Sequence, residues 1–169
     1  MRKWKLFALA FLFACSGGLF ASVAAAALPN DGHSAESRSI FFNEQVFRGE
    51  GSKQDAFFEI GKGQRSANGS HIELYFSHSE TLLPEYSTLT VLLDDVPLGS
   101  IALDESNRHD SLWKIDLSSR SLSPGFHKIT FWAKMKISAL ICENPQNSSA
   151  WLTLHQKSKV NLQLEQNYD

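Results

Sequence analysis

Cysteine is almost missing from this chain: Cys15 and Cys142 are the only two among 169 residues. Two cysteines cannot staple a disulfide scaffold or supply a four-cysteine zinc site. An excess of one charge is missing too. Sixteen basic residues face 18 acidic ones, a formal net charge of -2, and nothing in that balance argues for nucleic-acid binding. No segment after residue 27 is long and apolar enough to cross a membrane. No stretch keeps a 3.6-residue period over three turns, and no repeat or low-complexity tract occurs. The hydrolase signatures G-x-S-x-G and H-E-x-x-H are also lacking. Asp94-Asp95 and Asp104-Glu105 are adjacent pairs that read as turns, not as carboxylates facing each other across a cleft. An enzyme is therefore not expected. At this length one domain is expected.

What is present begins with a targeting signal. Arg2, Lys3 and Lys5 precede an apolar stretch, Leu6 to Cys15, and a small-residue stretch ends at Ala27. Residues 1–27 read as a signal peptide cleaved near Ala27–Leu28. Leu12-Phe13-Ala14-Cys15 loosely resembles a lipobox, so lipidation at Cys15 is the minority alternative. Without the leader, 13 basic residues face 18 acidic ones, and the mature net charge is -5. The expected location is extracytoplasmic, periplasmic or secreted, with membrane association left open. Cys142 would then be the one remaining thiol, packed as a small apolar residue.

The mature chain reads as strands. Residues 28–38 are polar and expected to be a flexible lead-in to a domain spanning 39–169. Ser39–Phe47 and Ala56–Ile60 are short apolar runs. His71–Ser77 alternates, with Ile72, Leu74 and Phe76 on one face and Glu73, Tyr75 and Ser77 on the other. Thr88–Leu93 and Leu98–Leu103 flank a turn at Asp94-Asp95, with Gly99 as a bulge position. Leu112–Leu117, Phe126–Ala133, Trp151–His155 and Lys159–Glu165 complete nine or ten strands. Short strands separated by Gly/Pro turns predict an all-β antiparallel sandwich.

Aromatics on polar strand faces are the candidate binding residues. A pyranose ring packs its C–H face on an indole or phenol while neighbouring polar groups bond its hydroxyls. Trp132 shares a face with Lys128 and Thr130, and Tyr75 lies between Glu73 and Ser77. Trp151 is the third candidate, with Leu152 and Leu154 on the opposite face. Trp113 alternates with Ile115 and Leu117 and is assigned to the core. His71 and His78 point to opposite sides of one strand. His33, His109, His127 and His155 show no ligand spacing, so no metal is expected.

Three ordered stretches carry a family resemblance. The first runs from Glu73 to Val91 and contains Ser79-Glu80-Thr81-Leu82-Leu83-Pro84-Glu85-Tyr86-Ser87-Thr88-Leu89-Thr90-Val91, leading into Leu92 through Ile101 with its Leu98-Gly99 pair. The second is Leu122-Ser123-Pro124-Gly125-Phe126-His127-Lys128-Ile129-Thr130-Phe131. The third is Cys142-Glu143-Asn144-Pro145, followed by Trp151 and Ser158. Together, over about residues 40–165, they resemble the first jelly-roll domain of the regulatory B subunit of bacterial cellulose synthase. Asp94-Asp95 departs from the Asn-Gly turn that most of that family carries. The family's full subunit is several times longer, so contacts made by its membrane anchor do not carry over.

The resemblance implies a jelly-roll, carbohydrate-binding-like module without cofactors. Its expected partners are a β-glucan polymer, the cellulose synthase catalytic subunit or other synthase components. The alternatives are a protein–protein interaction module and a truncated remnant of a longer subunit, neither binding glucan. The family's cyclic-di-GMP label does not carry over. The usual receptor needs R-x-x-x-R, and Arg38, Arg48, Arg65, Arg108 and Arg120 stand isolated.

Overall fold

The computed structural model describes residues 33–139 and 148–166. Residues 1–27, with the expected cleavage site and Cys15, and also Cys142, lie outside the described residues. Eleven strands occur among those described: β1 His33–Ser39, β2 Gln45–Arg48, β3 Ser52–Ile60, β4 Gln64–Ser66, β5 His71–His78, β6 Thr88–Leu93, β7 Val96–Ala102, β8 Ser111–Asp116, β9 Gly125–Lys134, β10 Trp151–Leu154 and β11 Lys159–Gln166. One 3₁₀ turn, Glu105–Asn107, is capped by Asp104. All strand pairs are antiparallel.

The strands form two sheets. The four-stranded sheet has the order β3-β9-β6-β7. The other has seven segments in four ranks. β1 and β2 follow one another along one edge, β11 and β10 lie next, then β4 and β5, and β8 closes the far edge. Merging these collinear segments leaves eight strand positions in two four-stranded sheets, alternating as in a jelly roll. Sheets of this kind bury alternate residues against each other. Leu74, Phe76, Leu152 and Leu162 from one sheet and Leu89, Val91, Ile129 and Phe131 from the other form one core. Trp113 packs against that core, as its alternation predicts.

The lead-in is a correction. Residues 33–39 form β1 and pair along their whole length with β11. Their polar composition hid this because β1 is an edge strand with little burial, so the backbone ladder, not apolar area, holds it. The run 39–47 is likewise broken where a strand is expected: Ser39 ends β1, β2 begins only at Gln45, and Phe41 reaches the core from the connection between them. Gly99 sits at the expected bulge. Val91 pairs with Gly99 and Leu92 with Pro97, leaving Leu98 extra. A Cβ at position 99 would come within 3.2 Å of Trp113 Cζ2, so the missing side chain at Gly99 gives the indole its room.

Where the ladders break, buried serines bridge the gap. Ser158 lies between β10 and β11; its Oγ accepts from Tyr75 N–H at 3.0 Å and donates to Tyr75 C=O at 3.3 Å. Ser87 Oγ pairs in the same way with the N–H and C=O of Lys136, and Ser66 Oγ accepts from Leu122 N–H and donates to Arg120 C=O. A hydroxyl is both donor and acceptor, so it can stand in for a missing peptide unit. Ser87 and Ser158 both belong to the stretches that carry the family resemblance, which gives those positions a structural reason.

The Asp94-Asp95 turn joins β6 to β7 with positive φ at both residues, 49° and 66°. That is the hairpin geometry favoured by Asn-Gly. Here Asp94 offsets the cost with its side chain: it accepts from Lys128 N–H at 2.9 Å and pairs with His127 Nδ1 at 2.7 Å. Burial alone would raise the Asp94 carboxyl, but these hydrogen bonds outweigh it and hold the group below the usual carboxylate range.

Candidate functional site

The three candidate aromatics divide between the two sheets. Trp132 projects from the outer face of the four-stranded sheet, since Phe131 and Ala133 on either side of it are buried. Tyr75 projects from the outer face of the other sheet, between buried Leu74 and Phe76. Trp151 shares that second face, alternating with buried Leu152. Trp132 and Tyr75 therefore look away from each other and cannot serve one ligand-binding surface. Tyr75 and Trp151 lie on neighbouring strands but are offset: Phe76 pairs with Leu154 and His78 with Leu152.

The surroundings of Tyr75 are closed and charged. Lys157 Nζ sits 4.3 Å from the ring centroid, a cation–π contact. The same ammonium is pinned by both Asp110 carboxylate oxygens at 2.5 and 2.6 Å. That hydrogen bond to Lys157, strongest among its influences, holds the Asp110 carboxyl below its ordinary range. A sugar ring would have to displace a paired cation to reach the phenol.

Next to Tyr75 the fold assembles a Ser–His–Glu array that no sequence motif announced. Ser77 Oγ lies 2.8 Å from His155 Nε2, and His155 Nδ1 lies 2.8 Å from Glu44 Oε2. With Glu44 ionised, Nδ1 carries the proton and Ser77 donates to Nε2. This is the order of a hydrolytic triad. Two facts place it among structural staples. Ser77 Oγ already accepts from Asp110 N–H at 2.8 Å, so that amide points at the hydroxyl and not at an oxyanion position. The adjoining depression is lined by Ser39, Glu44, Asp110, His155, Gln156 and Lys157, without Ser77. The array instead ties β5, the turn after β10 and the bend before β2 together. Its three members are 33 and 78 residues apart in sequence, which is why spacing did not reveal them. Trp151 borders a shallow depression of about 320 Å³ with Glu80, Thr81, His109 and Ser149. Among the described residues no three His, Cys, Asp or Glu side chains converge to hold a metal.

The outer face of the four-stranded sheet is different. Trp132 is 40% exposed. Lys53 Nζ lies 4.5 Å from its ring centroid, and Lys53 makes no ion pair among the described residues. Strand pairing places Lys53 on one side of Trp132 and Thr90 on the other, and Thr90 Oγ1 bonds Ser100 Oγ at 2.7 Å. Two further aromatics share this face: Phe57 on β3, 64% exposed, and Phe126 at the start of β9, 75% exposed. Sequence reading missed both. Phe57 was absorbed into the apolar run Ala56–Ile60, and only strict alternation with buried Ala56 and Phe58 would have turned it outward.

A family model described as "Cellulose synthase BcsB, first CBM domain" matches residues 36–166. The chain belongs to this family. Membership accounts for the carbohydrate-binding-module fold and makes the chain a relative of a cellulose synthesis accessory domain. Among curated proteins, "Uncharacterized protein YdaN" of Bacillus subtilis (strain 168) is 28% identical over 116 residues, covering 66% of this chain and 16% of that protein. This BcsB-family chain thus spans about one sixth of that relative's length. Among solved structures, a family two carbohydrate esterase from Cellvibrio japonicus aligns over 79% of this chain and 35% of its own, at 16% identity and a TM-score of 0.30. That likeness is too low to transfer any property.

Proposed function

We propose that this BcsB-family module is a non-catalytic, extracytoplasmic accessory element of bacterial cellulose synthesis, and that it contacts β-glucan through Trp132. Family membership supports the process and the ligand class; residues 1–27, read as a signal peptide, support the location. One observation carries the choice of site. Trp132 stands half-exposed beside an unpinned lysine and a Thr–Ser pair, whereas Tyr75 is roofed by a lysine clamped to Asp110. The indole supplies the stacking surface, and the hydroxyls of Thr90 and Ser100 supply edge contacts for sugar hydroxyls. The contact is open and shallow, suited to a polymer that must move on.

The test is affinity electrophoresis in gels containing soluble hydroxyethyl cellulose, with Trp132→Ala and Tyr75→Ala run alongside. Retardation of the wild type, lost with Trp132→Ala and kept with Tyr75→Ala, is expected. A folded wild type that migrates unretarded would sink the glucan-contact reading. A second reading, a face for another synthase component, draws on the exposure of Phe57 and Phe126. It would gain ground from that same negative result.

A further inference from the structure

We propose that Phe57 and Phe126 extend the Trp132 platform into one continuous track for a long, uncharged polysaccharide chain lying along β9. This rests on the glucan-contact reading above and adds to it the ligand's length and charge. On β9 the outward positions run Phe126, Lys128, Thr130, Trp132, so Phe126 and Trp132 are separated by six residues, about 20 Å of extended strand. Phe57 stands in the interval on the neighbouring strand, at its Phe126 end: it pairs with Lys128, while Glu59 pairs with Phe126 and Lys53 with Trp132. Phe57 therefore stands one strand to the side, two residues along from Phe126 and four short of Trp132, and the three rings spread over a length of face that several consecutive pyranose rings would span.

The side chains between the rings favour a sugar polymer over an apolar protein surface. Lys128 and Asp55 interrupt the aromatics with polar groups, so there is no single apolar patch of the kind a protein partner covers. Alternating stacking and hydrogen-bonding groups match a chain with C–H faces and O–H edges. The charges on the track are mixed and largely satisfied internally. Lys128 Nζ pairs with Asp95 at 2.7 Å, and Asp55 accepts from Thr130 Oγ1 at 2.6 Å. A polyanion would meet Asp55, Glu59 and Asp95, and only Lys53 and Lys134 at the Trp132 end are cations without an ion pair among the described residues.

Isothermal titration of the purified protein, expressed from its full sequence, with cellobiose, cellotetraose and cellohexaose tests the length claim. Affinity should rise by about tenfold or more from the shortest to the longest, equivalent to about 1.4 kcal/mol. Phe126→Ala and Phe57→Ala should flatten that rise, lowering cellohexaose affinity several-fold. Both side chains are exposed, so neither substitution should unfold the module. Trp132→Ala should weaken every ligand. Binding that is independent of length, lost with Trp132→Ala yet indifferent to the two phenylalanines, would overturn the track and leave the Trp132 contact standing. No binding by any oligomer would overturn both. Carboxymethyl cellulose binding as tightly as hydroxyethyl cellulose would overturn the claim of an uncharged ligand.

Discussion

Replacing Ser158 with alanine removes one oxygen from a fully buried site. The consequence falls on Tyr75. Its carbonyl keeps a partner, because His155 N–H donates to it at 2.8 Å. Its amide does not: Ser158 Oγ at 3.0 Å is the acceptor that bridges the gap between β10 and β11. An orphaned N–H away from water costs about 1–3 kcal/mol, so Ser158→Ala should destabilise by about 2 kcal/mol. For a sandwich of this size, roughly 3–4 °C per kcal/mol applies, and the melting temperature should fall by about 6–8 °C. Urea titration followed by tryptophan fluorescence gives the free energy, and hydrogen exchange at the Tyr75 amide localises it. Ser100→Ala, an exposed hydroxyl bonded to Thr90, is the control and should cost under about 0.5 kcal/mol. If Ser158→Ala matched that control and Tyr75 kept its exchange protection, the role of the serine as a ladder splice would be refuted.

Three further outcomes follow from the same reasoning. Asp94→Asn should keep the turn's tolerance of positive φ but lose the charge-assisted bond to His127, and because that carboxylate is half-exposed the loss at neutral pH should be about 1 kcal/mol or less. Because the folded carboxyl lies below its ordinary value, this contribution is complete above the unfolded pKa of about 3.9 and fades as pH falls through the folded value. The gap between wild type and variant, measured by urea titration, should therefore narrow toward strongly acidic pH. Phe131→Ala empties a fully buried position beside Phe41, whose ring centroid lies 5.2 Å away. It should cost about 3–5 kcal/mol, read as a large drop in urea midpoint or as outright unfolding. Ser77 should remain unlabelled by a fluorophosphonate probe in intact-mass analysis, and Ser77→Ala should only lower stability by about 1 kcal/mol; labelling at Ser77 would show that the Ser–His–Glu array is reactive after all.

Period-two alternation alone determined the β class and most strand positions here, because a half-buried strand must place apolar residues on every second position. It also placed Trp113 inside and Trp132 and Tyr75 outside, while turn-forming residue types marked the Asp94-Asp95 turn and the glycine marked the bulge at Gly99. Pattern could not reveal β1, since an edge strand held by its backbone ladder leaves no hydrophobic trace. Nor could it show that Phe57 faces outward within an apolar run, where local hydrophobicity masks the alternation. Which sheet each strand joins depends on long-range pairing, and that decided the rest. Pairing set Trp132 and Tyr75 on opposite sides of the sandwich, put Phe126, Phe57 and Trp132 on one face, and brought Glu44, Ser77 and His155 together from distant parts of the chain. Alternation is a local property of side-chain geometry; neighbourhood across a sheet is a property of the closed topology, and only the folded structure settles it.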